Sequence, residues 1–204
     1  MKHEISSMQT KKALAAALKK LASEKPFSKI TVREIISVSG FNRNTFYYHF
    51  EDVYALLKWM LEQEAIEVVK QFDLIAEYEE AILFVMDYVE KNDALLNNIY
   101  HSMGRDELQR FFYSDCIGIT RSIIDQTEKI QGLAVPEDFK AFLSQFYTQA
   151  IAGMLLEWIT DRSVRNRERT VQYISIILTS TLPTVLCTAS GMEDTVKKRC
   201  EKAP

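Results

Sequence analysis

The sequence predicts an all-α protein, with an N-terminal three-helix helix-turn-helix domain and a C-terminal helical domain that pairs through a four-helix-bundle dimer interface. Two observations indicate this fold class. Only six glycines and four prolines occur in 204 residues, so few positions interrupt a helix. Apolar residues also recur at helical spacing in the longer segments. We place the boundary between the two domains at residue 55, which gives domains of residues 1–55 and 56–204.

The first predicted helix covers residues 10–23. Leu14, Leu18 and Leu21 recur there at the spacing of one helix face. Pro26 follows and cannot continue a helix, because its ring clashes with the preceding turn. This segment is therefore expected to be an amphipathic helix whose apolar side lies against the rest of the domain.

The next two helices have clear start and stop signals. Thr31 followed three residues later by Glu34 is the pattern of a capping box and predicts a second helix that starts at Thr31. Gly40 supplies the conformation that a tight turn between helices needs. Asn42 is a good N-cap for a third helix from Arg43. Two short helices joined by a glycine turn predict a helix-turn-helix.

Asp52 is a suitable cap for a fourth, longer helix over residues 53–71. Five further helices are predicted near residues 77–91, 93–101, 105–130, 137–161 and 167–189. The breaks between the last of them fall at Gly104, at residues 132–136 and at residues 162–166. Pro183 is expected to kink the last helix.

The third helix has two chemically different sides. At 100° per residue, Phe46 and Phe50 fall on one side and are expected to face the first two helices. Asn44 and Tyr48 fall on the other side, which is therefore open to a duplex groove. Amide, hydroxyl and guanidinium groups there suit phosphate oxygens and base edges. The predicted DNA contacts are Thr31, Arg33, Asn42, Arg43, Asn44, Thr45, Tyr47, Tyr48 and His49.

Two alternatives stay open at this point. The aromatic run could be only a packed cluster, an interpretation that we accept for Phe46 and Phe50. His49 suits packing and phosphate contact equally well. The whole N-terminal unit could also bind protein, which would make the chain a helical adaptor without DNA binding.

Charge is unevenly distributed along the chain. Residues 1–50 contain nine Lys and Arg against three Asp and Glu, whereas residues 51–204 contain 16 bases and 25 acids. A basic N-terminal segment on an acidic body indicates that only this segment meets a polyanion. Uneven surface charge without a partner is the simpler alternative.

Several segments together resemble a known family. They are Ile30 to Ile35, Ser39 to Asp52 with Thr-Phe-Tyr-Tyr-His-Phe at 45–50, and the pair Leu56-Leu57. This pattern resembles the DNA-binding domain of TetR/AcrR regulators. The resemblance implies an all-helical homodimer, and a dimer predicts a palindromic operator with two-fold symmetry. Repression is the expected sense of regulation, with activation left open by the residues alone. It also implies an effector site in the C-terminal domain that changes the spacing of the two DNA-binding units.

The chain departs from the family pattern at two positions. Family members often carry a basic residue directly after the aromatic run and another after the following acid, where it meets phosphate. Glu51 and Val53 occupy these positions here. We therefore expect fewer phosphate contacts from the start of the fourth helix and a larger share from lysines and arginines of the first two helices.

Two uncharged stretches near the end of the chain, residues 141–156 and 170–192, predict the dimer interface. Long uncharged helices must be hidden nearly all round, and pairing with a second copy in a four-helix bundle achieves this. The alternative is that both belong to the core of one chain. The predicted interface residues are Leu143, Tyr147, Ile151, Met154, Leu155, Trp158, Ile174, Ile177, Leu178, Leu182 and Leu186.

The effector site is predicted from aromatic residues of the C-terminal domain. The set is Phe84, Tyr88, Tyr100, His101, Arg105, Phe112 and Phe142, which could line a pocket for a small apolar or aromatic molecule. Ordinary core packing is the alternative for these aromatics. Within the family, the branch that regulates dihydroxyacetone kinase genes is controlled by a partner protein, and the C-terminal half loosely resembles that branch. The effector is therefore either a small molecule or a protein co-regulator.

The sequence contains no pattern typical of an enzyme or of a cofactor site. Its three histidines include none placed three residues after a glutamate, and phosphate-loop, nucleophile-elbow and dinucleotide motifs are absent. Its three scattered cysteines predict neither a metal site nor a disulfide framework and suit a reducing cytoplasm. Gln172 and Pro183 make residues 170–192 a poor membrane span, and no signal peptide is recognised. We therefore expect no catalysis, cofactor, metal or membrane, and a cytoplasmic protein.

Overall fold

The computed structural model describes residues 2–191, with side chains from residue 6. This part of the chain is helical, contains no strand, and confirms the predicted all-α class. Its helices are α1 Lys2–Glu24, α2 Val32–Ser39, α3 Arg43–His49, α4 residues 53–69, α5 Tyr78–Lys91, α6 Asp93–Met103, α7 Arg105–Gln131, α8 Glu137–Thr160 and α9 Arg167–Ser190. Short 3-10 turns cover Phe27–Lys29 and Arg162–Val164.

The predicted helix caps are confirmed. The Thr31 side chain accepts from the Glu34 amide and Glu34 bonds back to the Thr31 amide, which completes the capping box of α2. Gly40 ends α2 with φ of 77°. Asn42 accepts from the Thr45 amide at 2.9 Å and starts α3. The predicted start of α1 near residue 10 is wrong, because no helix breaker precedes Pro26 and the helix runs back to Lys2.

The core of the helix-turn-helix continues into the body of the protein. Helix α1 packs on α2, α4 and α6. The buried side chains of this one cluster include Leu14, Leu18, Ile35 and Phe46 from the N-terminal helices and Leu95, Leu96 and Ile99 from α6. Helix α4 crosses the predicted boundary at residue 55 without a break. Division into residues 1–55 and 56–204 therefore stays a prediction.

Two helices contain a π-helical segment. It covers Glu62–Ile66 in α4 and Ile177–Thr181 in α9. In α9 it lies directly before Pro183, which has no amide hydrogen for the carbonyl one turn earlier. The wider π turn absorbs this lost hydrogen bond. The kink predicted at Pro183 stays a prediction.

Helices α7 and α8 form an antiparallel pair with a small polar centre. The Oγ1 atoms of Thr120 and Thr148 lie 2.6 Å apart, and Thr148 donates to the carbonyl of Ser144. All three residues are buried, so these bonds satisfy groups that would otherwise destabilise the pair.

Helix α9 closes one side of the body and leaves much of its own surface uncovered. It packs on α5 and on α7, where Leu182 and Leu186 join a second hydrophobic cluster with Ile124 and Leu143. By length and composition alone, Arg167–Ser190 could also cross a membrane, yet only 17% of its apolar window is buried within the single chain. Within the described residues, the uncharged outer side of α9 is therefore exposed.

Candidate nucleic-acid interface

Helix α3 presents two tyrosines on the outside of the molecule. Tyr48 is 74% exposed and Tyr47 is 46% exposed, whereas Phe46 and Phe50 are buried. Phe50 also lies against Trp59 of α4, with ring centroids 5.8 Å apart. The predicted division of this helix into a packed side and an open side is confirmed.

Three polar residues extend this open side at the start of α3. Asn42, Arg43 and Asn44 are all exposed. The Arg43 guanidinium lies over the Tyr47 ring, 5.4 Å from its centroid, an arrangement that is typical of cation–π contacts. Arg43 and Tyr47 therefore form one cationic, aromatic patch next to Tyr48.

The two threonines of the predicted set use their hydroxyl protons inside the chain. Thr45 Oγ1 donates to Asn42 Oδ1 at 3.1 Å, and Thr31 Oγ1 donates to Glu34 Oε2 at 2.9 Å. These threonines can still accept a hydrogen bond, and each retains an apolar methyl group. Arg33, next to this cap, is exposed. The open side therefore offers its donors mainly from Tyr47, Tyr48, the arginines and the asparagine amides.

Glu34 fixes the start of α2, next to Thr31 and Arg33. Its carboxylate accepts from Lys25 Nζ at 2.5 Å and from the Thr31 amide at 3.0 Å. These hydrogen bonds, first from Lys25 and then from Thr31, lower the pKa of Glu34 to about 2. Glu34 therefore stays ionised and holds the start of α2 in place.

His49 is half-buried at the edge of the surface, with its ring packed edge-on against Tyr48 at 4.9 Å. Burial, and then the charge of Lys11, lower the pKa of His49. The sequence-based set omitted Lys11, although its amine lies 5.9 Å from the Phe50 ring and 5.8 Å from the Trp59 ring. Its position one turn before Leu14 was the signal that could have placed it beside the packed face.

The start of α4 offers little to a phosphate. Asp52 caps the helix by accepting from the Ala55 amide at 2.7 Å, and Val53 packs against the core. Tyr54 is exposed next to Phe27, with ring centroids 5.1 Å apart. The expected shortage of phosphate contacts here stays a prediction.

The structure does not gather the predicted effector residues around one cavity. Phe112 is buried in the core, whereas His101 and Arg105 are exposed. Phe142 is exposed on the outside of α8 and stacks on Phe146, 6.4 Å away. Phe142 therefore does not share an interior with Phe112, and this set cannot form a single pocket in the conformation described.

The remaining aromatics of that set pack within the chain. Tyr88 donates to Glu64 Oε2 at 3.0 Å, and Glu64 also accepts from Lys19 of α1 at 2.6 Å. Burial is the largest cause of the raised pKa of Tyr88. Tyr100 packs against the core, and Phe84 lies 6.2 Å from Phe72. Tyr88 therefore joins three helices, which sequence spacing did not predict.

Burial within the single chain also changes the predicted dimer set. Leu143, Trp158, Leu182 and Leu186 are buried within the single chain, with at most 7% of each residue exposed. Tyr147, Leu155, Ile174 and Leu178 are half-buried. The large apolar side chains that α8 and α9 do expose are Phe142, Phe146, Ile151, Met154, Tyr173, Ile176 and Ile177, here called the apolar surface.

The fold and the exposed aromatic helix define a helix-turn-helix DNA-binding protein. Residues 13–59 match the family model described as bacterial regulatory proteins, tetR family, and residues 76–180 match the one described as transcriptional regulator C-terminal region. The chain belongs to the TetR family and is a DNA-binding transcriptional regulator.

One curated relative and two solved structures are similar to this chain. The HTH-type dhaKLM operon transcriptional activator DhaS of Lactococcus lactis subsp. lactis (strain IL1403) is 23% identical over 153 residues, which are 75% of this chain and 81% of that protein. A structure of dihydroxyacetone kinase operon activator DhaS is similar at TM-score 0.67 and 22% identity, covering 85% of this chain and 96% of that one. A structure of a TetR transcriptional regulator from Streptococcus agalactiae 2603V is similar at TM-score 0.57 and 24% identity. The match covers 87% of this chain and 98% of that one.

Proposed function

We propose that the chain binds a palindromic operator as a homodimer and places the open side of α3 in the major groove. The observation that carries this proposal is the exposure of Tyr47 and Tyr48 beside Arg43 and Asn44. Phenol and guanidinium groups donate to phosphate oxygens, and the Asn44 amide can pair with a base edge. Asn44 makes no side-chain hydrogen bond within the described chain, so its amide is free for this role.

Pairing is assigned to the apolar surface of α8 and α9. Seven large apolar side chains are exposed there. Thr179, Thr184 and Thr188 of α9 donate their hydroxyl protons to carbonyls one turn earlier, so they add little polarity to this side. Two copies packed through α8 and α9 form the four-helix bundle that the sequence predicts. The operator half-sites then lie about one helical turn apart, roughly 34 Å.

The last part of the proposal is control by an effector that binds the C-terminal domain. This effector is either a small molecule or a protein co-regulator. We expect the protein to act in the cytoplasm and to regulate without catalysis. Repression is the predicted sense of regulation, although the Lactococcus relative is named an activator. A reporter gene fused to the selected operator distinguishes the two, because deletion of the regulator raises expression only if it represses.

Binding-site selection from random duplexes, followed by fluorescence anisotropy, tests the proposal. We expect a two-fold symmetric site and an affinity that falls steeply between 50 and 200 mM salt, on the order of 10²-fold or more, because phosphate neutralisation releases counterions. Tyr47→Ala is expected to abolish binding and Tyr48→Ala to weaken it at least ~10-fold. Both variants should remain folded dimers.

Arg169→Ala is the matched control, because Arg169 is exposed at the start of α9, on the body of the protein. Its operator affinity should equal that of the unchanged protein. A folded dimer that selects no duplex at low salt would contradict DNA binding and favour an adaptor. Unfolding of Tyr47→Ala would instead assign Tyr47 to the core.

A further inference from the structure

A cavity of about 170 Å³ lies away from the DNA-binding surface and from the predicted effector residues. Its walls come from three places in the chain: the connection between α4 and α5, the last turns of α7, and the π-helical segment of α9 with the proline that follows. Thr127 of α7 is its most buried polar lining residue. Three separate elements therefore line one small, partly open space, with the exposed Ile130 at its rim.

The lining contains no Asp, Glu, Lys, Arg or His. Isoleucine, leucine and proline side chains, such as Ile75, Ile123 and Leu178, form most of it. An ion placed there would lose its hydration and gain no opposite charge. The cavity is therefore suited to an uncharged molecule with an apolar body.

The hydroxyl groups of the lining favour a ligand that donates a hydrogen bond, whereas the exposed Gln131 amide can donate or accept. Thr127 Oγ1 donates to the carbonyl of Ile123 at 2.8 Å, and Thr179 Oγ1 donates to that of Ser175 at 2.8 Å. Both hydroxyl protons are thus engaged, which leaves the oxygens as acceptors. The Tyr78 hydroxyl shares a 2.8 Å hydrogen bond with Ser175 Oγ. A ligand hydroxyl can donate to these oxygens.

The volume limits the size of the ligand. A closed apolar cavity of about 150 Å³ holds benzene, so this slightly larger, partly open space accommodates one ring with one small substituent. We propose that this cavity binds a neutral, monocyclic or similarly compact alcohol or phenol with about six to eight non-hydrogen atoms. The proposal deepens the effector part of the proposed function by giving the effector a place and a chemical class.

The cavity is in direct contact with a helix of the apolar surface. Leu178 and Thr179 line it from within the π segment, and Ile177 of the same segment is exposed on the apolar surface. The Tyr78–Ser175 bond also ties α5 to α9 at this point. A ligand that favours one winding of this segment shifts the position of the surface through which two copies pair.

Calorimetric titration of the full chain without DNA tests the site, with phenol, benzyl alcohol, benzene and benzoate as probes. We expect phenol and benzyl alcohol to bind with Kd on the order of 0.1 mM, in the range that ligand size allows. Benzoate should bind at least 10-fold more weakly, because its charge has no partner. Absence of phenol binding to the folded protein at 10 mM would overturn the proposal.

Two variants locate the binding. Thr127→Val keeps the shape of the side chain but removes the hydroxyl acceptor. The affinity for phenol should therefore fall about 5- to 10-fold, while the affinity for benzene should not change. Leu178→Phe fills the cavity and should abolish binding of both. Leu83→Phe, on the exposed side of α5, is the control and should change neither. If phenol binds all three variants equally, it binds elsewhere and the assignment is wrong.

Operator affinity measured with and without 1 mM phenol tests the regulatory part separately. A change of at least threefold that disappears in Leu178→Phe supports the effector role, and an unchanged affinity overturns that role. Phenol titration without DNA does not depend on operator binding, so failure of one proposal is distinguishable from failure of the other.

Discussion

The two ends of the chain present opposite kinds of surface. At the N-terminal end, α1, α2 and α3, here called the head, bury large apolar side chains such as Leu14, Ile35 and Phe46 and expose tyrosine and polar groups. At the C-terminal end, α8 and α9 bury leucines on one side and expose phenylalanine, isoleucine and methionine on the other. The exposed groups of α3 suit a polyanion, whereas those of α8 and α9 suit another apolar surface.

This difference shows that an exposed aromatic residue can indicate two different kinds of partner. Tyr48 is exposed next to Arg43 and Asn44, in a basic segment where a polyanion is the expected partner. Phe146 is exposed among uncharged residues, where only another apolar surface suits it. The chemistry of the neighbours therefore decides which partner each aromatic residue meets.

The largest effect is expected from a charge on the apolar surface. Phe146 is 59% exposed in one chain, so Phe146→Glu should leave the fold of a single chain intact but prevent pairing. Loss of the second half-site contact should weaken operator binding by about 10²- to 10⁴-fold, the usual gain from linking two binding units. Analytical ultracentrifugation and anisotropy measure the two effects.

Leu83→Glu is the control for this variant, because Leu83 is an exposed apolar residue of α5 outside the apolar surface. It should remain dimeric and bind the operator normally. A dimeric Phe146→Glu protein with full operator affinity would show that pairing uses another surface.

Two glycines provide a matched pair of stability measurements in the head and the body. Gly40 has φ of 77° and nothing within 4 Å of an added Cβ, so Gly40→Ala should cost about 1–2 kcal/mol in the free energy of unfolding through backbone strain alone. Gly118, inside α7, also has open space around it, and Gly118→Ala should gain about 0.5–1 kcal/mol. Urea denaturation measures the free energy of unfolding of both variants. If both variants were stabilised, or both destabilised, the distinction between the two glycines would be wrong.

A smaller loss is expected from the cap of α3. Asn42→Ala removes the acceptor of the Thr45 amide and of the Thr45 hydroxyl, and such caps contribute about 1 kcal/mol. Asn42→Asp should retain the cap and the stability. The operator affinities of the two variants separate the capping role of Asn42 from a DNA contact. If Asn42 acts only as a cap, Asn42→Asp should keep the operator affinity that Asn42→Ala loses. If Asn42 contacts DNA, Asn42→Asp should lose operator affinity although it is as stable as the original chain.

The smallest effect concerns acid stability of the head. The pKa of Glu34 is lowered from 4.5 to about 2 by Lys25 and Thr31. Its contribution to stability is therefore fully present above about pH 4.5 and is lost as the pH falls toward about 2. The difference in melting temperature between the original chain and Glu34→Gln should be largest above pH 4.5 and shrink below it. A difference that is constant from pH 2 to 6 would contradict this role.

Much of the head could be predicted from the sequence because its signals are local. Thr31 with Glu34, Gly40 and Asn42 each act within one helical turn, and the structure confirms each of them. The open side of α3 followed from helical periodicity alone. The predicted start of α1 failed because polar residues before Thr10 carry neither an apolar pattern nor a breaker.

At the C-terminal end, the sequence determined that α8 and α9 are long, uncharged helices, but only the tertiary structure decided which of their sides remain uncovered. Leu182 and Leu186 are as apolar as Ile176 and Ile177, yet the first two lie against α7 and the last two are exposed. Periodicity is weak where a helix is apolar all round, because burial is non-directional and any neighbouring apolar surface satisfies it. The arrangement of distant helices in space therefore determined the apolar surface and the cavity behind it.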